Sequence, residues 1–577
     1  MIADLVIRGG VVVDGTGLAR RRADVVVHEG RIQTIGQLPA NLEAKQAIDA
    51  EGMIVAPGIV DIHTHYDPQL TFDPYATCSC YHGVTTVVAG NCGFSIAPTR
   101  SEARPYMQSL FAKVEGMAPA ALEGVEWNFE SFSEYLEARR QRLGVNLACY
   151  VGHSSIRRYV MGEAGSEREA TAEEVKQMRA IVRESMSAGA AGFSSSHVPT
   201  QVDGDDRPIP SRYSARDELL ALAREAGEAG GGSISYLPKS VIGGLDHDDE
   251  ELLIDLALAS RLPIVIQGVG GRDKVDAPTA GWKEAKAFFD RAAGRGAAIF
   301  SLLRNHPFDR PIDLDAGTPL YAGVPSWHAL MSLEPEEKRA RLRDPKVRTE
   351  LRDAMDHPNR DPEAGSTLPP PHWDVVFVDE VTDPKNENYL RRTIAEIAAT
   401  ENKAPADAML DLALSEDLKM KFRWENKTGV WEEAVRESMK HPSILMGVSD
   451  GGAHLDRDDG SDWSTYFLRF WVLDQGAWSL EEGVRQLTQV PAAVVGLTDR
   501  GALLPGYAAD IMIFDPKTVR PGTKRKEYDL PGGEGRFCAR PVGFEATIVN
   551  GQPIVLGGKL QDGLPGQVLR PSGTVPS

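Results

Sequence analysis

The segment GIVDIHTHYDP, residues 58–68, holds the residues of this chain that are best suited to chemistry. An apolar run leads directly into His63 and His65, which are separated by a single residue. Side chains two apart on a strand point to the same face, so both imidazoles can aim at one point where the strand ends. Such a pair is suited to binding a divalent metal ion.

Two further candidate ligands follow other apolar runs. Cys92 comes after GVTTVVAGN, and Asp450 closes the segment SILMGVSD. A thiolate is a good zinc ligand. A carboxylate at position 450 can contact a metal and take a proton from its bound water, because the metal lowers the pKa of that water towards about 7. The pattern predicts a metal centre in which Asp450 is both a ligand and the catalytic acid and base.

The elements that must position these residues recur regularly along the chain. Eight short apolar runs alternate with amphipathic stretches such as TAEEVKQMRAIVRESMSAG, and the first, second and last runs precede the candidate ligands. Strand–helix units in such a series predict an α/β fold, namely a (β/α)₈ TIM barrel. The chemistry of this fold lies at the carboxyl ends of the strands, where the candidate ligands fall.

The two ends of the chain predict a different structure. Short β-rich runs with glycine turns occur in DLVIRGGVVVDGTG and again in FEATIVNGQPIVLGGK. We expect a small composite β-sandwich domain formed by residues 1–55 and 499–577, with the barrel at 56–498. An insertion at about 304–440 separates strands 7 and 8 of the barrel, and a polar loop at 196–213 follows strand 4. Such segments either shape a substrate pocket or elaborate the surface.

Composition excludes several classes of function. A net charge of −20 opposes binding to nucleic acid or to anionic membranes. The sequence has no apolar run of about 18 residues and no signal peptide, so we expect no membrane span and a cytoplasmic location. Cys78, Cys80, Cys149 and Cys538 are irregularly spaced, and we interpret them as packing residues rather than a disulfide framework.

Together, HTH after PGIVD, GVTTVVAGNCG, VGHSS, GAAGFSSS and SDGGAH resemble the amidohydrolase superfamily. The branch most similar to this sequence is that of the N-acyl-D-amino-acid deacylases, or D-aminoacylases, and the resemblance spans nearly the whole chain. In that family zinc is held by histidines on strands 1, 5 and 6, a cysteine on strand 2 and an aspartate on strand 8. The resemblance therefore implies zinc ligands at His63, His65, Cys92 and Asp450.

Two ligands implied by the resemblance are missing. The strand-5 run reads SISYL at 233–237, and the strand-6 run reads IQGV at 266–269, without the family's histidines or its carboxylate-binding lysine. A single zinc on His63, His65, Asp450 and Cys92, with Tyr236 or Gln267 completing its shell, is one interpretation. Another is a substitute ligand from His153, His197 or His454, and a third is weak or absent metal with altered chemistry. We favour the first, because three ligands and an open position suffice for catalytic zinc.

Five residues are candidates for substrate binding. His153 follows strand 3 and could polarise a carbonyl group, although a structural histidine is an equal alternative. Tyr236 and Gln267 stand where the family has histidines. Arg304 follows strand 7 and could pair bidentately with a substrate carboxylate, and His454 follows the strand-8 aspartate. Each has an alternative role in a turn, in packing or at the surface.

The sequence as a whole predicts an enzyme with one zinc ion per chain. We expect it to hydrolyse a non-peptide carbon–nitrogen bond in a small molecule, most simply an N-acyl amino acid or a related amide. An enzyme acting on an ester, a lactone or a cyclic amide is an alternative, as is a non-catalytic descendant with an incomplete metal site. We expect no nucleic-acid or membrane partner, and the resemblance also allows a homo-oligomer.

Overall fold

An eight-stranded parallel barrel is the central element, which confirms the predicted fold class. The computed structural model describes residues 2–39, 42–241, 244–268, 278–307, 309–315, 321, 324–331, 333–357, 372–425, 429–455 and 460–572. Barrel strands 1 to 8 are Ile59–Asp61, Val84–Ala89, Asn146–Gly152, Gly192–Ser196, Ser233–Leu237, Ile264–Gln267, Ile299–Arg304 and Ile444–Gly447. Each pairs in parallel with the next, and a bridge between Thr64 and Gly451 joins the last to the first.

Alternate residues of these strands fill the inside of the barrel. Val60, Val88, Tyr150, Val265 and Leu302 belong to one buried cluster, so residues of the same parity on each strand face inward. The other face of each strand is covered by helices, which explains why both faces read as apolar. The main helices outside the insertion are Arg104–Glu115, Pro119–Glu123, Phe132–Arg139, His153–Met161, Ala172–Ala188, Arg216–Glu228, His247–Ser260, Pro278–Gly294, Gly429–Ser438, Leu480–Leu487 and Gln489–Val494.

Both ends of the chain contribute to a β-domain of two sheets around one core. The first sheet contains the strands Arg31–Gly36, Asp24–His28, Ala3–Arg8 and Ala44–Asp49, in that order. The second runs Lys559–Leu560, Gln552–Leu556, Phe544–Val549, Ile511–Phe514, Ile54–Pro57, Val11–Val12 and Arg21–Arg22. Apolar residues from both sheets, including Ile7, Val25, Ile513 and Ile548, share one buried cluster. The central pairing of Ile54–Pro57 with Ile511–Phe514 joins the two ends of the sequence.

The insertion between barrel strands 7 and 8 forms a separate compact unit at 307–434. Its antiparallel sheet has the strand order Asp309–Asp313, Lys421–Glu425, Val376–Glu380. Its helices are Pro325–Met331, Pro335–Leu342, Pro345–Asp356, Ile394–Glu401 and Pro405–Ser415. A hydrophobic core of its own, which includes Trp327, Met409 and Phe422, holds the unit together. No helix among the described residues of the whole chain has the length and apolar character needed to span a bilayer.

The interpretation of Cys78 and Cys538 as separate packing residues is wrong. The two form a disulfide between Cα atoms 6.2 Å apart, across 460 residues of sequence. The segment Ser79–His82, which directly follows Cys78, lies against the strand Arg536–Ala539, where the His82 ring bonds the carbonyl oxygen of Ala539. The fold therefore brings together two cysteines that no local spacing could pair. Cys80, Cys92 and Cys149 are buried free thiols.

Gly192 begins barrel strand 4 and is required by the close approach of strand 5. Its φ of 140° is unfavourable for residues with a side chain, and a Cβ atom there would overlap the carbonyl oxygen of Ser233. We expect Gly192→Ala to destabilise the fold by about 2 kcal/mol or more, from backbone strain and overpacking together. Thermal unfolding would measure this as a lower Tm. Gly36→Ala, at a strand end with open space around it, is the matched control and should leave Tm nearly unchanged. Equal Tm values for the two variants would contradict the requirement for glycine at position 192.

Candidate metal centre

The two histidines lie just beyond barrel strand 1 rather than on it. The strand ends at Asp61, and the chain bends at His63, whose backbone N–H faces the Asp61 carboxylate at 3.4 Å. Thr64 then bonds the carbonyl oxygen of Val88 on strand 2 through its backbone N–H and its hydroxyl. The backbone N–H of His65 donates to the carbonyl oxygen of Gly451 beyond strand 8 at 2.7 Å. The histidine pair is thus fixed between the second strand and the last.

Cys92 reaches the histidines through a tight turn after strand 2. Gly90, Cys92 and Gly93 all have positive φ values, and a Cβ atom on Gly90 would collide with the carbonyl oxygen of Tyr150. The turn places the Cys92 Sγ atom 3.5 Å from His63 Nε2 and 3.9 Å from His65 Nε2. These three residues are the cluster among the described residues whose donor atoms converge closely enough to hold a metal.

Asp450 completes the group from the end of strand 8. The backbone has positive φ values of 67° at Val448 and 48° at Asp450, so the chain leaves the strand in a strained turn. The Asp450 Oδ1 atom lies 3.4 Å from His63 Nε2 and 3.8 Å from His65 Nε2. The Asp450 carboxylate therefore lies against the two imidazoles, whereas the donor atoms that converge most closely are those of His63, His65 and Cys92.

The spacing of these atoms fits a single metal ion. Zinc bonds of 2.0–2.3 Å in a tetrahedral site place neighbouring ligand atoms about 3.3 to 3.8 Å apart. The four distances between the imidazole Nε2 atoms and the Cys92 and Asp450 atoms run from 3.4 to 3.9 Å. The donor set of two nitrogens, one sulfur and one oxygen also suits zinc. The residues present therefore fit the metal.

The electrostatics of the site keep its donors in defined protonation states. Burial lowers the pKa of both His63 and His65 to about 3, so both imidazoles are neutral and keep a lone pair. Burial, with the nearby carboxylates of Glu115 and Asp450, raises the pKa of the Cys92 thiol well above its usual range. A bound cation acts in the opposite direction and favours the thiolate.

Two residues that the sequence did not single out also contact the ligands. Gln201, from the polar loop after strand 4, lies close enough to the Cys92 thiol to lower its pKa, against the effect of burial, and accepts a hydrogen bond from the Ser196 hydroxyl at 2.5 Å. The Glu115 Oε1 atom lies 3.3 Å from His65 Nδ1. Neither residue belongs to a motif with metal-ligand spacing. The loop that contains Gln201 follows strand 4 at the catalytic end of the barrel, which is a sequence signal for a site loop. Glu115 has no such signal.

Ser235 and Gln267 face inward on strands 5 and 6, where the resemblance implies histidines. The Tyr150 hydroxyl bonds the Ser233 hydroxyl at 2.6 Å inside the barrel, so Ser233 and Ser235 share the inward face of strand 5. Gln267 has the inward parity of Val265, and its Nε2 atom lies 3.0 Å from His63 Nδ1 and closer still to His63 Nε2. The structure therefore brings Gln267 to the metal ligands, as the first interpretation requires.

Tyr236 is directed away from the metal ligands, contrary to the expectation that it could complete the shell. It has the outward parity of strand 5, and its hydroxyl bonds His197 Nδ1 at 2.7 Å. His197 bonds the Ser214 hydroxyl through its other ring nitrogen at 2.9 Å. Both rings are thus used in a buried network behind the strand. His197 is therefore not a substitute ligand in this structure.

His153 is a structural histidine in this fold. Its Nδ1 atom bonds the Ser195 hydroxyl and its Nε2 atom bonds Glu218 Oε1, each at 2.8 Å. Arg157 Nη1 donates to both oxygens of Glu218, and His153 itself is fully buried. Because both ring nitrogens already have partners, neither the predicted contact with substrate nor a role as metal ligand agrees with this arrangement. The structural alternative is the one observed.

Arg304 and His454 lie at the same end of the barrel but outside the ligand cluster. Arg304 has the inward parity of Leu302, and its guanidinium Nη2 donates to His306 Nε2 at 2.9 Å. His454 follows the strand-8 turn with a φ of 54°, and its backbone N–H donates to the carbonyl oxygen of Glu115 at 2.5 Å. Arg304 is therefore bonded to His306 on the inward side of strand 7, whereas His454 ties the turn to a neighbouring helix.

The barrel, the terminal β-domain and the metal cluster define a metal-dependent hydrolase. The profile of the Amidohydrolase family matches residues 46–555, so the chain belongs to this family. The D-aminoacylase of Alcaligenes xylosoxydans xylosoxydans is 29% identical over 556 residues, which cover 96% of this chain and 94% of that protein. The chain is thus an enzyme of the D-aminoacylase branch that acts on carbon–nitrogen bonds other than peptide bonds.

Solved structures agree with this assignment. The N-acyl-D-glutamate deacylase of Bordetella bronchiseptica, in complex with zinc and a phosphonate mimic of the tetrahedral intermediate, is 25% identical with a TM-score of 0.62, covering 99% of this chain and 100% of that one. A D-aminoacylase studied for its binuclear metal centre, with activation by one metal and attenuation by a second, is 26% identical with a TM-score of 0.64, covering 98% of this chain and 100% of that one. This enzyme accordingly uses a divalent metal ion and a small-molecule substrate.

Proposed function

We propose that this protein is a one-zinc deacylase of N-acyl amino acids. The observation that carries the proposal is the convergence of the donor atoms of His63, His65 and Cys92, with Asp450 Oδ1 3.4 and 3.8 Å from the two imidazole Nε2 atoms. Ser235 and Gln267 face inward where the family resemblance implies two more histidines. A hydroxyl and an amide are poor substitutes for imidazole, which supports one metal rather than two.

The proposed chemistry is attack of water on an amide carbonyl. A bound zinc ion would polarise the carbonyl group and lower the pKa of the attacking water. The Asp450 carboxylate takes the proton of that water and later delivers it to the departing nitrogen. Because Asp450 Oδ1 faces the imidazoles, Oδ2 is the atom that we assign to this proton. The amide of Gln267 lies beside His63, where it can orient the substrate through a hydrogen bond.

Arg304 is the residue that we assign to the substrate carboxylate. It comes from strand 7, has the inward parity of that strand and carries a guanidinium that can bind a carboxylate bidentately. The chain lacks the lysine implied on strand 6, so a cation is needed from another strand. The names of a D-aminoacylase and an N-acyl-D-glutamate deacylase among the relatives support N-acyl-D-amino acids as the first substrates to test.

Metal analysis together with a substrate panel tests this function. Protein purified without chelators should contain about one zinc ion per chain, and a chelator should abolish amide hydrolysis. The panel comprises N-acyl-D- and N-acyl-L-amino acids, the same compounds with the carboxylate converted to a carboxamide, cyclic amides and esters. We expect turnover of N-acyl amino acids and a much higher KM for the carboxamides, with Arg304→Gln removing that difference. Turnover unaffected by chelators, or two tightly bound ions per chain, would contradict the proposal.

A further inference from the structure

The inner nitrogen of His65 faces a buried carboxylate. His65 Nδ1 lies 3.3 Å from Glu115 Oε1, and the two side chains are only 2% and 4% exposed. Within the described part of the chain, this nitrogen makes no formed hydrogen bond to another group. Contacts of this kind in metal-free sites are often long and become shorter when the site is assembled. Glu115 is therefore placed to accept a hydrogen bond from the Nδ1 side of the ring.

Glu115 occupies a position where a carboxylate is disfavoured. It is the last residue of the helix Arg104–Glu115, which ends at Gly116 with a φ of 62°. The partial negative charge at a helix carboxyl end disfavours a carboxylate, and burial disfavours it further. An N–H donor from His65 offsets part of both costs. The carbonyl oxygen of Glu115 also accepts the His454 N–H at 2.5 Å, which holds this helix end against the turn that carries Asp450.

We propose that Glu115 is a positioning residue for the metal site, an inference that rests on the proposed zinc function. Its carboxylate accepts a hydrogen bond from His65 Nδ1–H and thereby leaves the lone pair of His65 on Nε2. That Nε2 atom is the one that faces Cys92 Sγ and Asp450 Oδ1, at 3.9 and 3.8 Å. A carboxylate behind a histidine ligand fixes its tautomer and orientation and raises its basicity.

The two histidine ligands therefore have different supports. His63 meets the neutral amide of Gln267 at both ring nitrogens, whereas the Nδ1 atom of His65 faces a carboxylate. Glu115 Oε1 faces the Nδ1 atom of His65, on the other side of the ring from the Nε2 atom that faces Cys92 and Asp450. Its effect is exerted through His65, so loss of its charge should weaken metal binding without removing a ligand.

Metal affinity measured against a competing chelator tests this role. We expect Glu115→Gln, which keeps the size of the side chain but not its charge, to bind zinc about 10- to 100-fold more weakly than the wild type. Glu115→Asp makes a larger packing defect but keeps the carboxylate, and it should bind zinc more tightly than Glu115→Gln. Packing alone would give the opposite order. The visible spectrum of the Co²⁺-loaded protein should also change in both variants, because the ligand field at His65 changes.

A buried carboxylate elsewhere provides the matched control. Glu225 is 2% exposed and pairs with Arg179 and Arg183 between two outer helices. Glu225→Gln should lower Tm yet leave zinc affinity and the Co²⁺ spectrum as in the wild type. Wild-type affinity in Glu115→Gln would overturn the role of Glu115 alone, whereas a wild type that binds no zinc would overturn the proposed function as well. If Glu115→Gln does not fold, Glu115→Ala decides, and wild-type zinc affinity in that variant overturns the inference.

Discussion

His63→Ala is expected to remove the bound metal and to lower kcat/KM by more than about 100-fold. Loss of a residue that only supports a ligand costs about 10- to 100-fold in metal affinity or activity, and loss of a ligand should exceed that. His63 Nε2 is 3.5 Å from Cys92 Sγ and 3.4 Å from Asp450 Oδ1. Its removal therefore takes away the nitrogen donor that neighbours both the thiol and the carboxylate. Metal content by elemental analysis and steady-state kinetics on an N-acyl amino acid would measure the effect.

A second buried histidine distinguishes loss of the metal from loss of the fold. His82 bonds the Thr465 hydroxyl and the Ala539 carbonyl oxygen and takes no part in the metal cluster. His82→Ala should lower Tm because it leaves buried partners unsatisfied, but its metal content should equal that of the wild type. His63→Ala with full metal content and full activity would rule out the assigned site.

Asp450→Asn should have the opposite signature, with metal retained and chemistry lost. Asparagine keeps the shape of the side chain and can still offer an oxygen, and His63, His65 and Cys92 remain as ligands. It cannot hold a proton as a carboxylate does. Because general acid–base catalysis contributes about 10²- to 10⁴-fold, we expect kcat to fall by that factor. Parallel measurement of zinc content and of kcat separates the two roles of the residue.

The matched control for Asp450→Asn lies in the terminal β-domain. Asp14 is buried, accepts hydrogen bonds from Thr16 and pairs with Arg21. Asp14→Asn should leave both zinc content and kcat unchanged. Wild-type kcat in Asp450→Asn would remove Asp450 from the proton transfer, and complete loss of zinc would show that the residue acts chiefly as a ligand.

The barrel, and the position of the candidate ligands at its carboxyl end, were predictable because local sequence signals indicated them. Each strand was a short apolar run, and His63, His65, Cys92 and Asp450 each followed such a run at the end where barrel chemistry occurs. Nearness in space then followed from the fold, because the carboxyl ends of all eight strands meet at one end of the barrel. No contact between distant residues had to be guessed.

Which side a residue faces was not predictable on strand 5. Ser233–Leu237 alternates serine with larger side chains, but all five residues are buried, so no solvent-exposed side shows which set points into the barrel. Tyr236 consequently looked like a possible ligand, although Ser235 is the residue that faces inward. The same limit applies to Glu115 and to the disulfide partners, whose contacts depend on packing between elements far apart in the sequence.

The closure of the barrel has a consequence for when the enzyme becomes active during its synthesis. The Ser449 hydroxyl donates to the carbonyl oxygen of His63 across 386 residues, and Thr64 pairs with Gly451. His63, His65 and Cys92 are synthesised early. Asp450, and the Ser449 and Gly451 contacts that hold the histidine segment, are synthesised only after the ribosome has passed strand 8. A nascent chain stopped before Ser449 therefore lacks these contacts and Asp450. Zinc capture at full affinity should mark the moment at which the last strand joins the first.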